Sequence, residues 1–332
     1  MRPAIEVIIN AGSGSVLGDE TARSLRERFI AYGIRANVHL AASGAEIVLL
    51  ARHAAGTDAD VVVAGGGDGT ISAVAAEIAE TGKTLGVLPL GTLNNFSKDL
   101  GIPQTLSAAV RTIAEGAPVE VDLAEVNGRV FINNSSIGLY PKMVARRERQ
   151  QHKLGRGKWQ AALWASLRLF RVSPFLRVEI ELDGKVFERK TPFVFVGNNE
   201  YEMDLYNIGR RRRLNGGKLS IYFLHRPGRW GLIMLAWKTL TRQLRQWKDF
   251  EAVETEHVVV RKKRKRARVA IDGETMVMKT PLEYRILPRA MKVLVPQSVP
   301  NASQNDVSPN QNRVSPNPGA AVPDRGARDE EP

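Results

Sequence analysis

The chain has 332 residues, 43% of them hydrophobic and 25% charged, with a formal net charge of +13 and no cysteine. That length fits two domains of roughly 150 residues each, and the missing cysteine excludes disulfide scaffolds, thiolate zinc sites, iron–sulfur clusters and thiol catalysis. The charge is uneven: 142–171 carries nine Lys/Arg against one acid, 205–250 eleven against one, and 261–268 seven against none, which points to an anionic partner.

Ala4–Asn10 reads as a buried strand, Glu20–Ala31 as a helix, Arg35–Leu40 as a strand and Ala45–Ala55 as a helix. Val61–Ala64 is a short apolar strand that runs into Gly65-Gly66-Gly67-Asp68-Gly69-Thr70, after which Ile71–Ala79 has helical spacing. Thr84–Pro89 predicts a fourth strand and Leu106–Glu115 another helix. Strands interleaved with helices predict an α/β domain with a doubly wound parallel sheet over residues 1–122. Ligands of such sheets sit at the carboxyl ends of strands, where both Gly-rich turns fall.

Over residues 123–295 the pattern changes. Val119–Val126, Arg129–Ser136, Leu176–Leu182 and Val186–Val196 read as strands, with Asn127-Gly128 and Asp183-Gly184 as hairpin turns. Further strands are expected at Leu219–Leu224, Glu256–Val260, Arg268–Asp272 and Leu282–Leu287. The expected second domain is an antiparallel β-sandwich with helical inserts near 159–171 and 228–248; a return of its last strands to the first domain stays open. Residues 296–332 hold seven of the 17 prolines and no aromatic residue, so a disordered tail is expected.

Three motifs fail on spacing. Gly12-Ser13-Gly14-Ser15-Val16-Leu17-Gly18 nearly spells a dinucleotide fingerprint, but its third glycine is one residue late; Gly82-Lys83-Thr84 has Glu77 where a phosphate loop needs glycine; the five histidines never pair at zinc spacing. Gly65–Thr70 is better placed. Its glycines let backbone N–H groups converge on a phosphate, and Asp68 adds a carboxylate suited to nucleotide-bound Mg²⁺, although a plain strand-to-helix turn has the same composition. Pro89-Leu90-Gly91-Thr92-Leu93-Asn94-Asn95-Phe96 also follows a strand, and alone it reads equally as an Asn-capped turn.

Together, Asn10-Ala11-Gly12-Ser13-Gly14, Gly66-Gly67-Asp68-Gly69-Thr70 and Pro89–Phe96 resemble the three N-terminal signatures of the diacylglycerol kinase catalytic-domain family. Their order and spacing are those of the bacterial lipid kinases, relatives of sphingosine kinases and, more distantly, of NAD kinases. Phe131–Gly138, Val196–Tyr201 and Ile271-Asp272-Gly273-Glu274 resemble later family elements, so the resemblance spans residues 4–295. It implies ATP-dependent phosphorylation of a lipid hydroxyl, diacylglycerol or a related lipid, with the nucleotide between the two domains. It also implies that Asn10, Ser13, Gly66, Gly67, Asp68, Gly69, Thr70, Gly91, Thr92, Asn94 and Asn95 form the nucleotide site. Asp68 would help hold Mg²⁺, and Glu274 would be the base that takes the acceptor proton. One positioned carboxylate suffices for that chemistry.

Two positions depart from the family pattern: Asn95 stands where an Asp is common, and Gly216 where bacterial members carry an Asp for a structural Mg²⁺.

All five tryptophans lie in the two expected helical inserts. Trp159, Leu163, Leu167 and Phe170 share one helical face of the first. Trp230, Ile233, Trp237, Leu240, Leu244 and Trp247 share one of the second, with Arg229, Lys238, Arg242, Arg245 and Lys248 elsewhere. Such helices suit an anionic bilayer surface, or else pack against the sandwich. Met1–Glu6 does not read as a signal peptide, and no apolar run approaches the roughly 18 residues of a membrane span. The expectation is a cytoplasmic protein peripherally bound to the inner face of the membrane, with homodimerisation open. The competing readings are a basic nucleic-acid- or membrane-binding protein on a weakened kinase fold, with no recognised nucleic-acid module, and a soluble NAD-kinase-like enzyme.

Overall fold

The computed structural model describes residues 4–12, 18–138, 175–182, 184–204, 207–211, 213–224 and 250–297. Both expected helical inserts, Ser13 and the tail beyond Gln297 lie outside the described residues.

The first half alternates as its sequence does: β1 (Ile5–Asn10), α1 (Gly18–Ile30), β2 (Ala36–Ala41), α2 (Gly44–Ala55), β3 (Val61–Gly66), α3 (Asp68–Ile78), β4 (Thr84–Pro89), α4 (Asn95–Asp99) and α5 (Leu106–Glu115). The four strands pair in parallel in the order β2-β1-β3-β4. Strands such as Val7-Ile8-Ile9 and Val62-Val63-Ala64 are buried throughout, which is why they read as continuous apolar runs rather than alternations. Arg28 of α1 bonds Ser107 of α5, and Arg52 of α2 bonds Glu77 of α3, so neighbouring helices are tied in pairs.

The second half is antiparallel: β5 (Ala117–Val126), β6 (Arg129–Phe131), β7 (Asn134–Gly138), β8 (Leu176–Leu182), β9 (Lys185–Thr191), β10 (Phe193–Asn198), β11 (Tyr201–Asp204), β12 (Asn207–Arg211), β13 (Leu219–Leu224), β14 (Phe250–Thr255), β15 (His257–Lys262), β16 (Arg266–Ile271), β17 (Glu274–Lys279) and β18 (Leu282–Val295). Strands β14-β13-β10-β7-β16-β17 make a six-stranded sheet. The parallel strands continue through β4 into β18, β15, β8 and β9, giving a ten-stranded mixed sheet that also holds β5 and β6. One core, with Ile8, Leu25, Ile71 and Leu88, fills the parallel half. Another, with Phe131, Ile180, Phe223, Val269 and Tyr284, fills the space between the antiparallel strands of the two sheets.

Two expected strands are each broken in two. Arg129–Ser136 is interrupted at Ile132-Asn133, whose backbone N–H groups are taken by the Asp272 carboxylate instead of a strand. Val186–Val196 is interrupted at Pro192, where the chain passes from the large sheet, β9 beside β8, to the six-stranded one, β10 beside β7. Proline has no N–H to give a ladder, so it suits that crossing. The last strand is longer than the expected Leu282–Leu287: β18 bulges between Leu287 and Met291 and runs on to Val295.

Candidate functional site

Parallel pairing of β3 with β4, Gly66 opposite Pro89, delivers both Gly-rich turns side by side at the strand ends. The turns touch. A Cβ on Gly91 would stand 2.3 Å from the Cα of Gly67, so a side chain at 91 would drive the turns apart. Gly67 is the extended N-cap of α3; the Thr70 and Ile71 N–H groups donate back to its carbonyl at 3.0 and 3.1 Å, while those of Asp68 and Gly69, at the very start of the helix, have no intrahelical acceptor, which leaves them for an anion. Asn10 reaches the same helix from β1: its Nδ2 donates to Thr70 Oγ1 at 3.1 Å, and its Oδ1 accepts from Gly12 N–H at 2.9 Å.

Asp68 has a definite structural job. Its two carboxylate oxygens accept the backbone N–H groups of Asn95 and Phe96, each at 3.0 Å, and so cap α4 and lock the second turn to the first. Each oxygen keeps a further lone pair. Asn95 contributes through its backbone, and its side chain is exposed. Asn94 adopts a left-handed conformation with φ 51°. Its Nδ2 donates to the carbonyls of Pro89 and Gly91 and to Gln104 Oε1, and its buried Oδ1 has no partner among the described residues. Thr92 and Leu93 are exposed on the rim.

Glu274 arrives from the opposite sheet. Asp272 and Gly273 both have positive φ, 46° and 90°, the geometry of a tight two-residue hairpin, and β17 starts at Glu274 immediately after. A Cβ on Gly69 would lie 2.9 Å from Glu274 Oε1, so this carboxylate stands against the first turn of α3. The hairpin is anchored by Asp272, which accepts N–H bonds from Ile132, Asn133 and Asn134 at 2.9, 2.8 and 3.0 Å. Burial pushes the Asp272 carboxyl up, against the opposing pull of the Ser72 hydroxyl on α3 and those three N–H groups.

Sequence patterning does not single out Arg211. It ends β12, and its buried guanidinium donates to Asp99 Oδ2 at 2.8 Å, to the Ile132 carbonyl at 2.6 Å and to Asn133 Oδ1 at 2.8 Å. Asp99 closes α4, the helix that Asp68 caps, so Arg211 joins the second turn to the segment holding Asp272. In the run Arg210–Arg213 it looks like surface charge, and only the partner 112 positions away reveals it. Where Gly216 departs from the family pattern, the turn is held by side chains: Gly216 N–H donates to Asn199 Oδ1 at 2.8 Å and Gly217 N–H to Asp122 Oδ2 at 2.6 Å.

Asp68, Asn10, Thr70, Gly91, Asn94 and Glu274 are therefore brought to one place; Ser13 lies outside the described residues. No cluster of three His, Cys, Asp or Glu occurs among the described residues. The free lone pairs of Asp68 fit a cation that brings most of its oxygen ligands with it, as Mg²⁺ does on nucleotide phosphates.

The family model of the diacylglycerol kinase catalytic domain matches residues 4–126. The diacylglycerol kinase of Bacillus subtilis (strain 168) is 27% identical over 304 residues, covering 88% of this chain and 96% of that one. That of Staphylococcus carnosus (strain TM300) is 25% identical over 228 residues, 68% of this chain and 74% of that one. A crystal structure of a diacylglycerol kinase from Bacillus anthracis str. Sterne shares the fold, with TM-score 0.63, 20% identity and coverage of 88% of this chain and 96% of that one. The matched segment 4–126 holds both Gly-rich turns, whereas Glu274 lies beyond it.

Proposed function

We propose that this protein is an ATP-dependent lipid kinase that moves the γ-phosphate of ATP to a hydroxyl of a membrane lipid, diacylglycerol or a close relative. The observation that carries the reading is the placement of the Glu274 carboxylate against Gly69, on the phosphate-facing turn that Asp68 and Gly91 complete. In this reading Asn10, Gly66, Gly67, Gly69, Thr70, Gly91, Thr92, Asn94 and Asn95 form the nucleotide site, with Ser13 from the adjoining segment. The N–H groups at the start of α3 hold the phosphates, and Asp68 holds Mg²⁺ through its remaining lone pairs. When bound, Mg²⁺ neutralises charge on the phosphates. Glu274 accepts the proton of the lipid hydroxyl as it attacks.

Among the described residues no helix is long and apolar enough to cross a membrane; the clustered Lys/Arg and Trp of the chain lead us to place the enzyme peripherally on the inner face of the membrane. The Trp-rich basic segments near 159–171 and 228–248 are its proposed contacts there, and no nucleic acid is involved. The domain limits 1–122 and 123–295 are retained as a functional division: nucleotide side and lipid side. Incubation with labelled ATP and a panel of hydroxylated lipids, followed by mass analysis, tests the proposal. A phosphorylated diacylglycerol or related lipid supports it; labelling of NAD alone, or of no lipid, rejects it.

A further inference from the structure

We propose that one end of the antiparallel half, built around the 263–265 turn between β15 and β16, docks onto an anionic bilayer. The strand registers gather the relevant residues. Arg266 pairs with Lys279 and Arg268 with Val277 on β16 and β17, while Lys262 pairs with Val178, one residue along from Arg177, which pairs with Lys190. Lys263, Arg264, Lys265, Arg266, Arg268 and Lys279 are all exposed, and among the described residues none of them lies within ion-pair distance of a carboxylate. Further back along the large sheet, Glu179 and Glu181 are occupied by Arg261. The turn is held in place: Thr280 N–H donates to the Lys265 carbonyl at 3.1 Å and Thr280 Oγ1 to the Arg264 carbonyl at 2.9 Å. Those six side chains form an array of cations with no carboxylate partner among the described residues, and its complement is a polyanion.

The choice of a membrane over a nucleic acid rests on what shares this end. Val277 is 61% exposed beside Arg268, an apolar contact that a phosphate backbone would not use. Gly138 with Phe193 and Leu224 with Phe250 pair at this same end. Segments 139–174 and 225–249, which carry all five tryptophans and nine and six Lys/Arg, therefore leave and rejoin the sheets here. Indole rings favour the bilayer interface, and clustered cations its anionic headgroups. The choice leans on the lipid-kinase reading as well, and the test is made independent of turnover. Glu274 lies at the other end of β17, about 17 Å from Lys279 at 3.4 Å per strand residue.

The experiment is sedimentation of the full chain with vesicles of equimolar phosphatidylcholine and phosphatidylglycerol. At about five-fold per cation, the variant Lys263→Gln/Arg264→Gln/Lys265→Gln should bind roughly 100-fold more weakly, with an unchanged thermal melt. Because the chain has no cysteine, a fluorophore on Lys265→Cys can be compared with one on Leu49→Cys, 63% exposed on α2. Quenching by brominated lipids at 265 and not at 49 supports the assignment. Wild-type affinity in the triple variant, quenching at 49 alone, or tighter binding of the wild-type chain to duplex DNA than to the vesicles at equal salt would overturn it. If the vesicle results hold while the wild type phosphorylates no lipid, the docking end stands and the kinase reading falls.

Discussion

Arg211 and Asp99 form an ion pair sealed from water, 2.8 Å apart with side-chain exposures of 0% and 2%. Taking two charges out of water is expensive, and such a pair often adds little net stability over apolar residues of similar size. What it does here is geometric, because it ties α4, capped by Asp68, to the Ile132-Asn133 segment that grips Asp272.

Arg211→Met should destabilise the protein by about 3–5 kcal/mol, since it removes one side of a buried ion pair. The double variant Arg211→Met/Asp99→Leu should regain most of that in denaturant melts. Its kcat is expected to stay at least about ten-fold low with KM for ATP little changed, because the second turn loses its tie to the Glu274 hairpin. Full recovery of kcat in the double variant would show the pair to be structural only.

Asp68→Asn should abolish phosphoryl transfer while the chain stays folded. An amide offers one acceptor oxygen to two N–H groups, those of Asn95 and Phe96, so a modest stability loss of about 1–3 kcal/mol accompanies it. Near-normal turnover at saturating Mg²⁺ would remove Asp68 from metal binding and leave it a cap.

Glu274→Gln should lower kcat by about 10² or more with ATP affinity preserved, as loss of a general base does. Gly69→Ala offers a second route to the same conclusion. The new methyl would meet Glu274 Oε1 at 2.9 Å, and the exposed carboxylate can swing aside, so the fold should hold or gain up to about 1 kcal/mol from helix propensity. Turnover should fall although no reacting group has been deleted. If Gly69→Ala keeps wild-type kcat, Glu274 does not act from the observed position.

Gly91→Ala should act on the nucleotide instead. Its Cβ would clash with backbone, the Cα of Gly67 at 2.3 Å, and relieving that contact separates the two turns. Equilibrium binding of ATP should weaken by at least about ten-fold, with a stability cost of about 1–3 kcal/mol. Unchanged ATP affinity would mean that the approach of the two turns is dispensable.

What the sequence discloses and what it hides divide along physical lines. Val61–Ala64 and Thr84–Pro89 are readable because strands buried on both faces must be apolar throughout, and the turn at Gly65–Thr70 because glycine marks close backbone approach. Pro192 was not readable as a crossing. β9 and β10 both read as strand, and a strand pattern does not say which sheet the strand joins. Nor was the Asp272 anchor: Asp-Gly announces a hairpin, whereas its three N–H partners come from residues some 140 positions away, which no local pattern encodes. Arg211 was hidden by its arginine neighbours, since burial of a charge depends on a distant partner.

The long last strand has a consequence for how the protein is made. β18 fills the place between β4 and β15, so Thr84 and Leu85 wait for Lys292 and Val293 to complete their sheet. At roughly 5–20 residues per second, the intervening two hundred or so residues take about 10–40 s to leave a ribosome. During that time the flank of β4 is an unpaired, apolar strand edge, open to a second nascent chain. Chains truncated before residue 282 should therefore collect in the insoluble fraction, even though every residue of the Gly65–Thr70 and Pro89–Phe96 turns is present, and a chaperone that shields strand edges should bind this protein early in its synthesis.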